Sequence, residues 1–340
     1  MVTDATPTVW PVVTRNVALM HLLERLARRF NDAGVPFMVL KGAALQLTLY
    51  RRPDERPMGD IDLLVRPGDV DKAVQLLLAA GCRRGAPLVR EDFFPCHYYE
   101  AEFLAGDVFP LKIDLHVRPF RPLRYARTVP DGAFWDRARP VRIGRATVLV
   151  PSPEDMLIHL ATHLAVHGFA RPTWRKEIKL WAEAQRDQLD WDRLAPAAAA
   201  WGLALPVRRA IERVEGEFGE FCPADARRRL AETPVSWRDR VALWHAPRDE
   251  RHPVGHVLVN ALCTPGWRFV AGYLFAVLVP TRPHLEQWYA RRHPGWLVCA
   301  HAARWLGPPL NALVHAVGLA AMATRRAWRG RRTWALVRPV

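Results

Sequence analysis

The chain has 340 residues, 50% apolar and 24% charged, which excludes a disordered or fibrous polypeptide and leaves room for two domains of ordinary size. Its formal net charge is +15, but only five of its 49 basic residues are lysine, so arginine-rich composition explains the excess as well as a nucleic-acid partner would. The charge still makes an anionic ligand electrostatically welcome.

The N-terminus, MVTDATPTVWPVVTRN, has no basic stretch followed by an apolar run, so no signal peptide is expected. Residues 14–33 carry Val17, Leu19, Leu22, Leu23, Leu26 and Phe30 near helical spacing and predict a helix that ends at NDAG. VPFMVL reads as a short buried strand running into Lys41-Gly42, and AALQLTLY as one or two helical turns. RRPDERPMG is a loop, DIDLLV a strand, and PGDVDKAVQLLLAAG a helix with Asp69 as cap and Gly81 as stop. HYYEAEFL and PLKIDLHV alternate as strands joined by a hairpin-like AGD, and 141–150 reads as another hairpin.

After Pro151 the pattern changes. Ser152, with Asp155 three residues on, signals a helix start. Helices are predicted over 174–186, 192–216, 224–231, 236–244, 267–279, 284–290 and roughly 296–327. The expected fold class is α+β: a mixed sheet with helices over residues 1–150, then a mostly helical domain over 151–340 with a basic C-terminal tail.

In DIDLLV the alternation places Asp60 and Asp62 on one face and Ile61, Leu63 and Val65 on the other. In LKIDLHV it places Lys112, Asp114 and His116 on one face. If the two strands are neighbours, three carboxylates converge, and a hard divalent cation such as Mg²⁺ relieves their repulsion. Two such ions would serve an attacking and a leaving oxygen. The plainer reading is a solvent-facing strand edge. Gly42 lets backbone approach a phosphate beside a helix N-terminus, and Lys41 adds a point charge suited to a triphosphate; an ordinary strand-to-helix turn explains the pair as well.

Together the stretches VLKGAAL, LYRRPDERPMGDIDLLV, DLHVRPF and SPEDMLIHLATHLAVHG resemble the uncharacterised nucleotidyltransferase family of bacteria, within the DNA polymerase β-type nucleotidyltransferase superfamily. The resemblance covers roughly residues 30–170. It implies that Asp60, Asp62 and Asp114 are catalytic metal ligands for Mg²⁺ or Mn²⁺, with Asp114 also a base for the acceptor hydroxyl. It implies that Lys41 and Gly42 sit against the nucleotide phosphates and that Arg56, just ahead of the motif, is a phosphate partner. His116 either hydrogen-bonds a phosphate or satisfies a carboxylate. One departure stands out: the superfamily turn is usually Gly-Ser or Gly-Gly, and here it is Gly42-Ala43.

Other motifs point less far. His159, His163 and His167 recur every four residues; all three cannot hold one ion, though a pair could hold zinc, and the face is otherwise expected to pack on the first domain with His163 at the cleft. Trp174 and Trp181 have the spacing of a buried stripe. Cysteines 82, 96, 222, 263 and 299 show no CxxC or Cys/His spacing, so neither a disulfide framework nor a zinc site is expected and a reducing cytoplasm fits. Residues 287–340 hold no acid and arginines at 291, 292, 304, 325, 326, 329, 331, 332 and 338; this tail reads as a solvated basic terminus, or as a peripheral contact to an anionic membrane or RNA. Pro308 and Pro309 interrupt the uncharged stretch from Trp305 to Thr324, so no transmembrane helix is expected.

The function expected is metal-dependent transfer of an NMP from an NTP to a hydroxyl or other nucleophile of an acceptor: a small molecule, a protein or tRNA. Two alternatives stay open: a degenerate binding or scaffold protein of the same fold, and a toxin–antitoxin-type nucleotidyltransferase acting on tRNA or protein.

Overall fold

The computed structural model describes residues 12–85, 97–247, 253–279 and 281. Cys96, Cys299, the predicted helices over 284–290 and 296–327 and the basic tail lie outside the described residues.

Seven strands form one mixed sheet: β1 (Phe37–Leu40), β2 (Asp60–Val65), β3 (Cys82–Arg84), β4 (Glu100–Ala105), β5 (Leu111–His116), β6 (Arg139–Ile143) and β7 (Ala146–Val150), in the order β3-β4-β5-β2-β1-β7-β6. β1 lies inside the sheet, between β2 and β7, and is wholly buried, as its uninterrupted apolar sequence dictates. β2 pairs antiparallel with β1 and parallel with β5, and β4 pairs antiparallel with β5.

The helices between and after the strands are α1 (Val12–Asp32), α2 (Lys41–Thr48), α3 (Val70–Ala79), α4 (Leu123–Thr128), α5 (Pro153–Val166), α6 (Pro172–Ala184), α7 (Trp191–Ala200), α8 (Ala204–Phe218), α9 (Ala224–Glu232), α10 (Trp237–His245), α11 (Pro253–Cys263) and α12 (Trp267–Leu278). The chain is α+β, with its helical part C-terminal to the sheet. Among the described residues no helix is long and apolar enough to cross a membrane.

Several local expectations change. The helix predicted over 192–216 is two helices, because Gly202 takes φ 70° and turns the chain between them. β3, α4 and α11 are additional; β3 and α4 are short, and only tertiary contacts stabilise segments of that length. Asp69 occupies the cap position of α3 without a side-chain bond to the backbone. Ser152 does cap α5, accepting from the Asp155 N–H at 3.3 Å, and Pro153 follows at the first helical position.

α5 is the central helix of the C-terminal part, and its residues are buried almost throughout. One hydrophobic core runs from Leu19 through the sheet to α5 and on to Ala246, so burial does not stop at residue 150. The fully buried Trp181 of α6 joins it, with its indole N–H donating to the Pro153 carbonyl at 3.0 Å.

α1 also fixes the loop that precedes β2. Asn16 is fully buried and donates to the Pro53 carbonyl at 2.6 Å and to the Arg56 carbonyl, while its Oδ1 accepts from the Met58 N–H at 2.9 Å. Arg15 donates to the Met58 and Gly59 carbonyls at 3.1 and 2.7 Å. A polar side chain on the buried face of an amphipathic helix thus fixes where the Asp60 strand begins. Replacing Asn16 by Ala leaves these buried loop groups without partners and should lower unfolding stability by roughly 2–3 kcal/mol, read from the urea midpoint at unchanged m-value.

Candidate active site

The register of three strands sets the site. Asp62 lies opposite Leu40 on β1 and opposite Asp114 on β5, and Asp60 lies opposite Lys112. On the far side of β5, Glu102 faces Asp114 and Glu100 faces His116. Neighbouring strands run about 4.8 Å apart, so Glu102, Asp114 and Asp62 form a lateral row of like charges. Such a row is destabilising unless it is compensated.

Compensation comes from the same strands. Because β1 ends beside Asp62, Lys41 leaves the sheet there, and its Nζ reaches Asp62 Oδ1 at 2.6 Å. Lys41 adopts φ 46°, a left-handed conformation rare for a side chain with a Cβ, at the strand-to-helix turn. His116 Nε2 contacts the same Oδ1 at 2.8 Å and Glu100 at 3.5 Å. His116 therefore satisfies a carboxylate in this structure. Lys112 bridges Asp114 Oδ2 at 3.0 Å and Glu102 at 3.5 Å.

The pKa shifts follow from this layout. Burial pushes Asp62 up, but Lys41 and His116 outweigh it and hold the carboxyl well below its usual range. Burial pushes Lys41 down, and Asp62 with Glu100 more than reverses that. Asp60 is raised by burial and by Asp62, and has no hydrogen-bond or ion-pair partner among the described residues. Asp114 is raised to about 6 by burial, Glu100 and Asp62.

These groups line a cleft of about 370 Å³ between the sheet and α5–α6. Gly42 lies at its edge, and the space a Cβ would take there is filled by the Arg56 guanidinium. Arg56 is buried, and its Nε meets Glu177 of α6 at 2.5 Å. The absence of a side chain at Gly42 thus admits a buried arginine that fastens the loop before β2 to α6. A larger groove of about 730 Å³ between the end of α5, α8 and α10 has four arginines and a single carboxylate, Glu212, and offers no comparable acidic centre.

A family described as uncharacterised nucleotidyltransferase matches residues 11–218, more than half of the chain and all of the cleft. The chain belongs to this nucleotidyltransferase family. No curated protein shows a significant match. Among solved structures, ANT(2'')-Ia in complex with adenylyl-2''-tobramycin is 17% identical, with 54% of this chain and 97% of that chain covered, at a TM-score of 0.39. An antigenic nucleotidyltransferase-like protein from Paracoccidioides brasiliensis is 14% identical, with 64% and 94% covered, at a TM-score of 0.40.

In this nucleotidyltransferase, no group of three or more His, Cys, Asp or Glu side chains among the described residues is gathered as a ready-made metal site. The donor chemistry nevertheless fits a hard divalent cation. Asp60, Asp62 and Asp114 offer carboxylate oxygens into one cleft, Asp60 is unpartnered, and Lys41 and His116 engage only Oδ1 of Asp62. The three histidines divide: His159 of α5 is wholly buried against Phe120 and Phe134, while His163 of α5 and His167, just past its end, line the cleft beside Trp174. Burial pushes His159 down to about 3.

Sequence alternation alone did not single out Glu100, although HYYEAEFL places Glu100 and Glu102 on one face and pairing with β5 would have aimed both at Asp114 and His116. Arg121, Arg171 and Trp174 enter the cleft through tertiary packing and left no local signal.

Asp114 carries a testable consequence. Its carboxyl titrates near 6 in the folded chain against about 3.9 when unfolded, so the folded state holds this proton more tightly. The resulting stability is complete below about pH 4 and disappears as the pH rises through 6. In EDTA, Asp114→Asn should therefore gain melting temperature relative to wild type between about pH 4 and 6, with a constant advantage above that, read from thermal unfolding at fixed ionic strength.

Proposed function

We propose that this family member transfers a nucleoside monophosphate from an NTP to a hydroxyl or other nucleophile of an acceptor, with the cleft at Asp60, Asp62 and Asp114 as its active site. The observation that carries the reading is the placement of Asp62 directly opposite Asp114 on adjacent parallel strands, with Asp60 two residues earlier on the same face. The three free cysteines among the described residues, Cys82, Cys222 and Cys263, support a reducing, cytoplasmic setting.

In the reaction, the acceptor oxygen forms a bond to the α-phosphorus. The bond from that phosphorus to the α–β bridging oxygen breaks, and pyrophosphate leaves. Asp114, which lines the cleft beside Asp62, takes the acceptor proton on its carboxylate. Mg²⁺ or Mn²⁺ held by Asp60, Asp62 and Asp114 would neutralise phosphate charge and align the attacking and leaving oxygens. His116 and Lys41 hold Asp62 ionised and oriented. Arg56, fixed by Glu177, supports the Gly42 turn from beneath, and backbone at that turn faces the phosphates. Most of the catalysis is positioning and charge neutralisation on a rigid sheet.

The test is label transfer from α-labelled ATP, GTP, CTP and UTP with Mg²⁺ or Mn²⁺ to small molecules, protein or tRNA. Asp62→Asn should reduce transfer by about 10²–10⁴-fold. Equal labelling by wild type and variant would remove the cleft from the reaction.

A further inference from the structure

The charges of the cleft sort into pairs with a remainder. Lys41 is committed to Asp62, Arg56 to Glu177 and Lys112 to Asp114. Gly42 and Ala43 bring no side-chain donor to the turn. Yet the same cleft has a second, basic end, where Arg121 and Arg171 stand with His163, His167 and Trp174.

Arg171 is the distinctive member. It is exposed at the start of α6, its guanidinium lies over the Trp174 ring at 4.8 Å, and no carboxylate among the described residues pairs with it. The Trp174 ring is itself held by His163 at 4.3 Å and His167 at 5.3 Å between centroids. With three side chains around it, the indole is a support for a cation and not an open surface for stacking a base. Arg171 precedes α6 as its extended N-cap residue, and Trp174 and Glu177 follow three positions apart on the helix. Glu177 anchors α6 to Arg56 and so to the Gly42 turn. The N-terminal end of α6, with Arg171, Trp174 and Glu177, thus forms part of the cleft wall.

Resting on the nucleotidyl-transfer reading, we propose that Arg171 binds the β- and γ-phosphates of the NTP, with Trp174 as its positioning residue. A planar guanidinium suits bidentate contact with phosphate oxygens, and resting on an aromatic face lowers the entropy lost when it binds. The acidic end then receives the reacting centre and the basic end the polyphosphate that departs.

Full-length protein should be titrated calorimetrically with sodium tripolyphosphate and with inorganic phosphate in EDTA, and its KM for the NTP measured by label transfer. Arg171→Ala should weaken tripolyphosphate binding by about 10- to 100-fold, and Arg171→Lys should restore part of it. Trp174→Ala should weaken it as well, and Trp174→Phe should recover it, with both changes appearing in KM and not in kcat. Wild-type binding of tripolyphosphate by Arg171→Ala, or none by wild type, overturns the proposal. Equal loss of phosphate and tripolyphosphate with an unchanged KM assigns the anion to a phosphorylated acceptor and also overturns it. Arg171-dependent tripolyphosphate binding in a wild-type protein that transfers no label would instead sink the nucleotidyl-transfer reading and leave the anion subsite standing.

Discussion

Asp62 and Asp114 face each other across parallel strands, and much of the structure answers the repulsion this creates. Lys41 and His116 converge on a single oxygen of Asp62, while Lys112 spans Asp114 and Glu102. The compensation is uneven. Asp62 is held ionised, whereas Asp60 and Asp114 are left with raised pKa values. Raised pKa values of this kind are the mark of carboxylates whose mutual repulsion the neighbouring cations offset only in part.

Holding such a site together requires anchors on both sides of the strand. Asn16 and Arg15 on α1 grip the loop before Asp60 through its carbonyls, and Arg56 at the end of that loop is clasped by Glu177 on α6. The strand that carries Asp60 and Asp62 is thereby fixed to an N-terminal helix and to the helical part at once. A buried ion pair of this kind adds little net stability over an apolar contact, but removing one partner strands the other charge. Its value here is placement: it sets α6 beside the Gly42 turn, so that Trp174 and Arg171 form a wall of the cleft.

The cleft joins two groups of side chains. Asp60, Asp62, Glu100 and Asp114 come from the strands together with Lys112 and His116, and Trp174 and Glu177 come from α6 with Arg171 just ahead of it. The continuous core explains why the two halves act as one unit around it, since α5 is buried against both the sheet side and the later helices.

The amino-acid sequence determined the strands that carry the acidic cluster and the faces they present. Period-two alternation in DIDLLV and LKIDLHV placed Asp60, Asp62 and Asp114 correctly, because a buried face admits only one register. The strand-to-helix turn at Lys41-Gly42 and the cap at Ser152 were equally legible, being local. Tertiary structure decided the rest. That His116 gives its hydrogen bond to Asp62, that Gly42 makes room for an Arg56 held by Glu177, and that Trp174 lines a cleft while Trp181 is core all depend on contacts between residues distant in sequence, or on helix packing no local pattern encodes. Short segments such as β3 and α4 escaped for the same reason: too few residues carry their periodicity, and long-range contacts stabilise them.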